Sequence, residues 1–135
     1  MISARAQFTP RNDLGQFVKV KVVPGVIASV QASVNVIQQS AQLYCPVDTG
    51  ALRDSITTQV SESGSTVVGS VGPHTDYASY VEYGTGRKGD PAAPYAHVET
   101  WPGMKPQPYM RPAIDERKGS ILDLFRSNIS TSLVP

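Results

Sequence analysis

An α+β fold, with a long helix packed on a small antiparallel sheet, a long flexible loop and a C-terminal helix, follows from three observations. Residues 26–44 carry apolar side chains at helical period, and residues 53–72 alternate around a Gly-Ser turn. Residues 84–108 then crowd four Gly and five Pro between the last strand and a second helical run. At 135 residues the chain is read as a single domain, 1–135, able to bury about two-thirds of its unfolded surface.

The elements are justified in chain order. Residues 1–14 are polar and broken by Pro10, which predicts a flexible arm. Residues 16–23 set Phe17 or Val18 against charged neighbours, a first strand with one wet face, and Pro24-Gly25 should end it. In the principal helix Val26, Val30, Val34, Ile37, Ala41 and Tyr44 return every three or four residues. Winding at ~100° per residue places them on one stripe, with Gln31, Asn35, Gln38 and Gln42 opposite. Ala32, Val36 and Leu43 form a second, narrower stripe, separated from the first by Ser29, Ser33 and Ser40. The first stripe suffices for packing on the sheet, so the second is either a broad core contact or a surface for a neighbouring subunit. No charged residue occurs from 22 to 47, so this helix is expected to be covered on more than one side.

Pro46 stops the helix, Asp48 or Thr49 caps the turn that follows, and the Gly50 hinge and Leu52 lead into a strand. Residues 53–61 and 65–72 make a β-hairpin around Glu62-Ser-Gly-Ser65, with Ile56, Thr58 and Val60 on one face. Tyr77, Tyr80, Val81 and Tyr83 predict a helix of one or two turns, and Gly84 suits its end because it tolerates left-handed φ. Residues 84–107 are too rich in breakers for regular structure and read as a mobile loop. Arg111-Pro112 opens the last helix, since Pro is tolerated in a first turn. Ile114, Ile121, Leu122, Leu124, Phe125 and Ile129 continue it, and Gly119 is its weak point.

A formal charge of +1 gives no general attraction to nucleic acid or membrane, but the charge is unevenly placed. Residues 1–21 hold Arg5, Arg11, Lys19 and Lys21 against Asp13, net +3. Residues 48–83 hold Asp48, Asp54, Glu62, Asp76 and Glu82 against Arg53, net −4. Such polarity either orients stacked or ring-forming subunits or is solvated surface charge. The single Cys45 excludes an internal disulfide and a cysteine-built metal site, and His74 and His97 lack ligand spacing, so no metal is expected. There is no Gly-x-Ser-x-Gly elbow, and Cys45 before Pro46 reads as a buried structural thiol. Asp48 is accounted for as a cap and Glu82 as a helix-surface or salt-bridge residue, so the carboxylates do not form an acid-base pair. No cofactor and no enzymatic activity are expected. Met1-Ile-Ser-Ala-Arg has no apolar core behind it and no run is long enough to span a bilayer, so no signal peptide and no membrane are expected.

Three blocks carry the strongest signal: Pro46-Val-Asp-Thr-Gly-Ala-Leu-Arg-Asp-Ser-Ile56, Tyr77-Ala-Ser-Tyr-Val-Glu-Tyr-Gly-Thr85 and Pro106-Gln-Pro-Tyr-Met-Arg-Pro-Ala113. In this order and spacing, behind an uncharged helix, they resemble the tail-completion or head-tail joining proteins of long-tailed bacteriophages. The resemblance implies an α+β subunit of a homo-oligomeric ring, commonly a hexamer, at the head-proximal end of the tail. Its partners would be further copies of itself, the head-connector protein, and a tail-tube or tail-terminator protein, with DNA only passing through the channel. Its place would be the virion neck, and the host cytoplasm during assembly.

By the same likeness, Asp48, Thr49, Gly50 and Leu52 form the helix-to-strand corner, Gly84 ends the short helix feeding the loop, and Arg111-Pro112 marks the loop's return. Residues 1–14 and 84–105 would touch adjoining rings through Arg5, Arg11, Arg87, Lys88 and Lys105. Ala32, Val36, Leu43, Tyr80 and Tyr83 are assigned to the contact between subunits, Tyr being suited to interfaces by its apolar body and polar tip. An alternative is a nucleic-acid-binding module in which Tyr80 and Tyr83 stack on bases beside Arg87 and Lys88.

Overall fold

The computed structural model of the chain describes residues 2–7 and 22–133. Three strands, β1 (Ile2–Gln7), β2 (Thr57–Ser63) and β3 (Thr66–Gly72), form one antiparallel sheet in the order β1-β3-β2. Four helices accompany it: α1 (Val23–Tyr44), the single turn α2 (Ala51–Asp54), α3 (Ala78–Tyr83) and α4 (Met110–Leu133). The expected α+β class, with its long helix, small sheet and C-terminal helix, is the class observed.

The central strand explains how α1 sits. Val67, Gly69 and Val71 of β3 are buried, and the residues between them are half-buried, the period-2 pattern of a sheet with one covered face. Val30 and Val34 of α1 lie over Gly69, where an added Cβ would come within 2.6 and 2.7 Å of their Cγ1 atoms. Glycine at this position therefore sets how closely α1 approaches the sheet. Val30, Val34 and Ile37 are each at most 4% exposed, and burying each contributes about 1.5–3 kcal/mol.

α4 packs on α1 in the antiparallel sense. Ser29 reaches the Leu124 carbonyl at 3.4 Å, and Arg117 Nε donates to Ser40 Oγ at 2.6 Å. Phe125 and Ile129 close one end of the core against Val26 and Val30, and Met110, Ala113 and Ile114 close the other against Ala41 and Leu52. Ser29, Ser33 and Ser40, expected to divide two apolar stripes, are themselves 0–1% exposed. Ser29 and Ser33 donate to the carbonyls four residues back, Gly25 at 2.7 Å and Ser29 at 2.6 Å, so their hydroxyls are satisfied without water. The charge-free helix is covered by the sheet and by α4.

Several boundaries differ from expectation. Ile2–Gln7, read as the start of a flexible arm, is strand β1, paired from Ile2↔Val71 to Gln7↔Thr66. Most of that arm, with Arg11, and residues 16–21 of the expected first strand lie outside the described residues. Pro24 and Gly25 do not end a strand but lie in the first turn of α1, where the amide that Pro lacks would have no partner in any case. Residues 51–54, partly assigned to the hairpin, coil into α2, and the hairpin turns on Gly64-Ser65 alone, with Gly64 at φ 57°. Gly50, not Asp48 or Thr49, stands at the N-cap of α2 and has no side-chain cap; Thr49 Oγ1 accepts from the Ala51 amide at 3.3 Å, and Asp48 is exposed.

Candidate functional site

The three sequence blocks converge on the base of the long loop. Pro46 to Leu52 of the corner, Tyr77 and Val81 of the α3 segment, and Met104 and Gln107 of the loop's return line one cleft of about 400 Å³. A second cleft of about 210 Å³ lies between Ala78, Glu82 and Tyr83 on one side and Tyr109, Met110 and Arg111 on the other. Blocks separated in sequence are thus brought together where the loop leaves and rejoins the body.

Glu82 is the centre of this arrangement. Its side chain is 7% exposed, and its Oε2 accepts the amides of Tyr109 at 2.8 Å and Met110 at 3.0 Å. Oε1 accepts the Arg111 amide and the Arg111 Nε, each at 3.1 Å. These amides open α4, where Gln107, Pro108 and Tyr109 supply no short polar side chain to cap it. A carboxylate from α3 therefore satisfies the helix start and complements its positive end. Arg111 continues the network to the Glu82 carbonyl at 3.1 Å and to Asp90 Oδ2 at 3.3 Å, and lies 4.7 Å over the Tyr83 ring. The amide of Ala92 and the Arg111 guanidinium hold the Asp90 carboxyl below its ordinary range.

The loop has a tied neck. Thr85 and Met104 exchange backbone hydrogen bonds at 2.8 and 3.0 Å, and Arg87 and Lys88 donate to the carbonyls of Trp101 and Pro102. Gly86–Lys88 is a short 3-10 turn in a segment expected to lack regular structure. Gly84, at φ 74°, has the Met104 carbonyl where a Cβ would stand. Tyr95 folds back so that its hydroxyl donates to the Gly84 carbonyl and its ring packs on Tyr80 at 4.9 Å. Tyr109, 1% exposed, donates to the Ala78 carbonyl at 3.2 Å, and burial pushes its hydroxyl well above the ordinary tyrosine range.

Other singled-out residues are distributed as follows. Leu52 is buried in the core, Pro112 stands in the first turn of α4, and Gly50 adopts φ 87° at the corner. Ala32 and Val36 are half-buried, whereas Leu43 is 83% exposed. Tyr80 is exposed but packs on Tyr95, and Tyr83 is half-buried under Arg111, so both rings already have neighbours within the chain. Arg5, Arg87, Lys88 and Lys105 are exposed. Cys45 is buried and its thiol is pushed upward by that burial. Asp90, Tyr95 and Tyr109 were not anticipated in these roles. The signal that could have pointed to a distant cap is the absence of any Ser, Thr, Asp or Asn just before Met110.

Among the described residues, no cluster of three or more His, Cys, Asp or Glu is arranged to hold a metal ion. No helix there is long and apolar enough to cross a membrane. The family model described as bacteriophage HK97-gp10 tail component matches residues 13–84. No curated protein and no solved structure matches the chain.

Proposed function

The chain belongs to the HK97-gp10-like family of bacteriophage tail components, and on that premise we propose that it is the ring-forming tail-completion subunit that joins the head connector to the tail tube. It is a structural protein of the virion tail. In this reading copies of the subunit close into a ring, a hexamer by the likeness noted above, at the head-proximal end of the tail. The ring contacts the connector on one side and a tail-tube or tail-terminator protein on the other, and DNA passes through its channel. Assembly proceeds by matching of surfaces, with the loop ordering further as neighbours dock.

The observation that carries the reading is apolar surface left uncovered in two places. Leu43, Tyr44 and Val47 are exposed at the end of α1, and Val98, Trp101 and Met104 are exposed on the loop. Grouped large apolar side chains of this kind mark contacts with other proteins. Deleting the gene from its phage tests the reading. The expected lysate contains filled heads and complete tails that remain unjoined until the intact chain is supplied. Joined particles in the deletion lysate, or tails of uncontrolled length, would overturn it.

A further inference from the structure

The end of α1 and the loop offer complementary chemistry. Leu43, Tyr44 and Val47 are exposed at the end of α1, Val47 lines the corner cleft with exposed Asp48 and with Tyr77, and exposed Asp54 and Asp76 follow at the end of α2 and just before Tyr77. Arg53, 3.0 Å from Asp54, is the opposing cation at this corner, which remains net negative. On the loop, exposed Val98 and Trp101 stand with exposed Arg87, Lys88 and Lys105 against Glu99, a net positive surface. Met104 lines the subunit's own corner cleft, whereas Val98 and Trp101 do not.

We propose, resting on the ring reading above, that the loop of one copy docks on the α1 corner of a second copy. Val98 and Trp101 cover Leu43, Tyr44 and Val47, and Arg87 and Lys88 face Asp48 and Asp54. Opposite charge around an apolar centre favours this pairing and disfavours loop against loop or corner against corner. The two patches differ, so the contact is heterologous. Such a contact passes from copy to copy and closes into a ring when the rotation between copies is a whole fraction of a turn, whereas a self-complementary contact would stop at a dimer. The Thr85–Met104 neck and the Glu82–Arg111 clasp hold the loop's root before docking, which reduces the ordering needed in the complex.

Cross-linking tests the pairing. Two full-length chains, one Leu43→Cys and one Trp101→Cys, both at exposed positions and both retaining buried Cys45, are mixed, assembled and oxidised beside a wild-type blank. The expected product is a mixed 43–101 disulfide between chains. Normal rings with only same-site adducts, or with none, overturn the docking and leave the ring reading intact. A wild-type chain that forms no ring, alone or in particles, removes both.

A charge exchange gives a second readout. Asp48→Lys with Asp54→Lys, and separately Arg87→Glu with Lys88→Glu, should each raise the concentration for half-assembly about tenfold. Combining all four in one chain should restore assembly toward wild type. Additive loss in the combined chain overturns the proposal.

Discussion

Oε1 of Glu82 receives two hydrogen bonds from one residue, the amide and the Nε of Arg111, each at 3.1 Å and spanning 29 positions of sequence. One carboxylate thereby fastens both ends of the loop and starts α4. Removing it strands a row of helix amides and leaves Asp90 as the ion-pair partner of Arg111. Glu82→Ala should lose about 3–5 kcal/mol of unfolding free energy in urea titration. Arg111→Ala should lose less, about 1–3 kcal/mol, because Oε2 keeps two amides and Arg111 is 43% exposed. If Arg111→Ala proved the more damaging, the carboxylate would not be the centre of the clasp.

Two glycines should respond in opposite directions to the same substitution. Gly69→Ala forces a methyl into Val30 and Val34 and should destabilise by about 1–3 kcal/mol as α1 is lifted from the sheet. Gly119, on the exposed side of α4, has nothing within 4 Å of an added Cβ. Gly119→Ala should stabilise by up to about 1 kcal/mol. Thermal melting compares the two, and equal signs would contradict this account of both sites.

Tyr109 makes stability fall in alkali. Its folded pKa is raised above the ordinary value of 10.0 by burial first and by the nearby Glu82 second, so the unfolded chain releases this proton before the native chain does. The contribution is complete below pH 10 and is lost as pH rises toward the folded pKa. Tyr109→Phe should be about 1 kcal/mol less stable at neutral pH, through loss of the hydrogen bond to the Ala78 carbonyl. The gap should narrow above pH 10, as read by denaturation at a series of pH values. A gap that widened would show that the hydroxyl is not held protonated.

On α1, Leu43 and Val36 should separate assembly from folding. Leu43→Lys, at an 83% exposed position, should melt like wild type and fail to form rings. Val36, half-buried and winding beside Ser29 and Ser40, borders the seam that α4 covers. Val36→Lys should therefore cost about 1–3 kcal/mol of stability as well. Normal ring formation by Leu43→Lys would remove the corner from the interface.

Hydrogen exchange should divide the loop. The amides of Thr85, Arg87 and Met104, bonded across the neck, should exchange slowly in the free subunit. Residues 94–100 should exchange rapidly there and slow on ring assembly. Uniform protection along residues 84–107 in the free chain would contradict a loop that orders on docking.

The sequence by itself determined the type and order of the long helices, the hairpin and the short helix between them: the apolar stripe from Val26 to Ala41, the alternation through Val60 and Val67, the stop at Gly84 and the start at Arg111-Pro112 are local patterns set by helix and strand periods. It also carried the family, since the matched segment, residues 13–84, holds the uncharged helix, the first block and the second block up to Gly84. Only the tertiary structure decided which polar residues are buried. Ser29, Ser33 and Ser40 read as a polar divider until α4 covers them, since their hydroxyls are satisfied within α1 and by Arg117. Glu82 read as a surface or ion-pair residue because its amide partners lie 27 to 29 positions away, beyond any helical or strand period. The strand at Ile2–Gln7 was hidden for the same reason: its pairing with β3 is a long-range contact, and a short, mixed polar segment does not announce a strand without its partner.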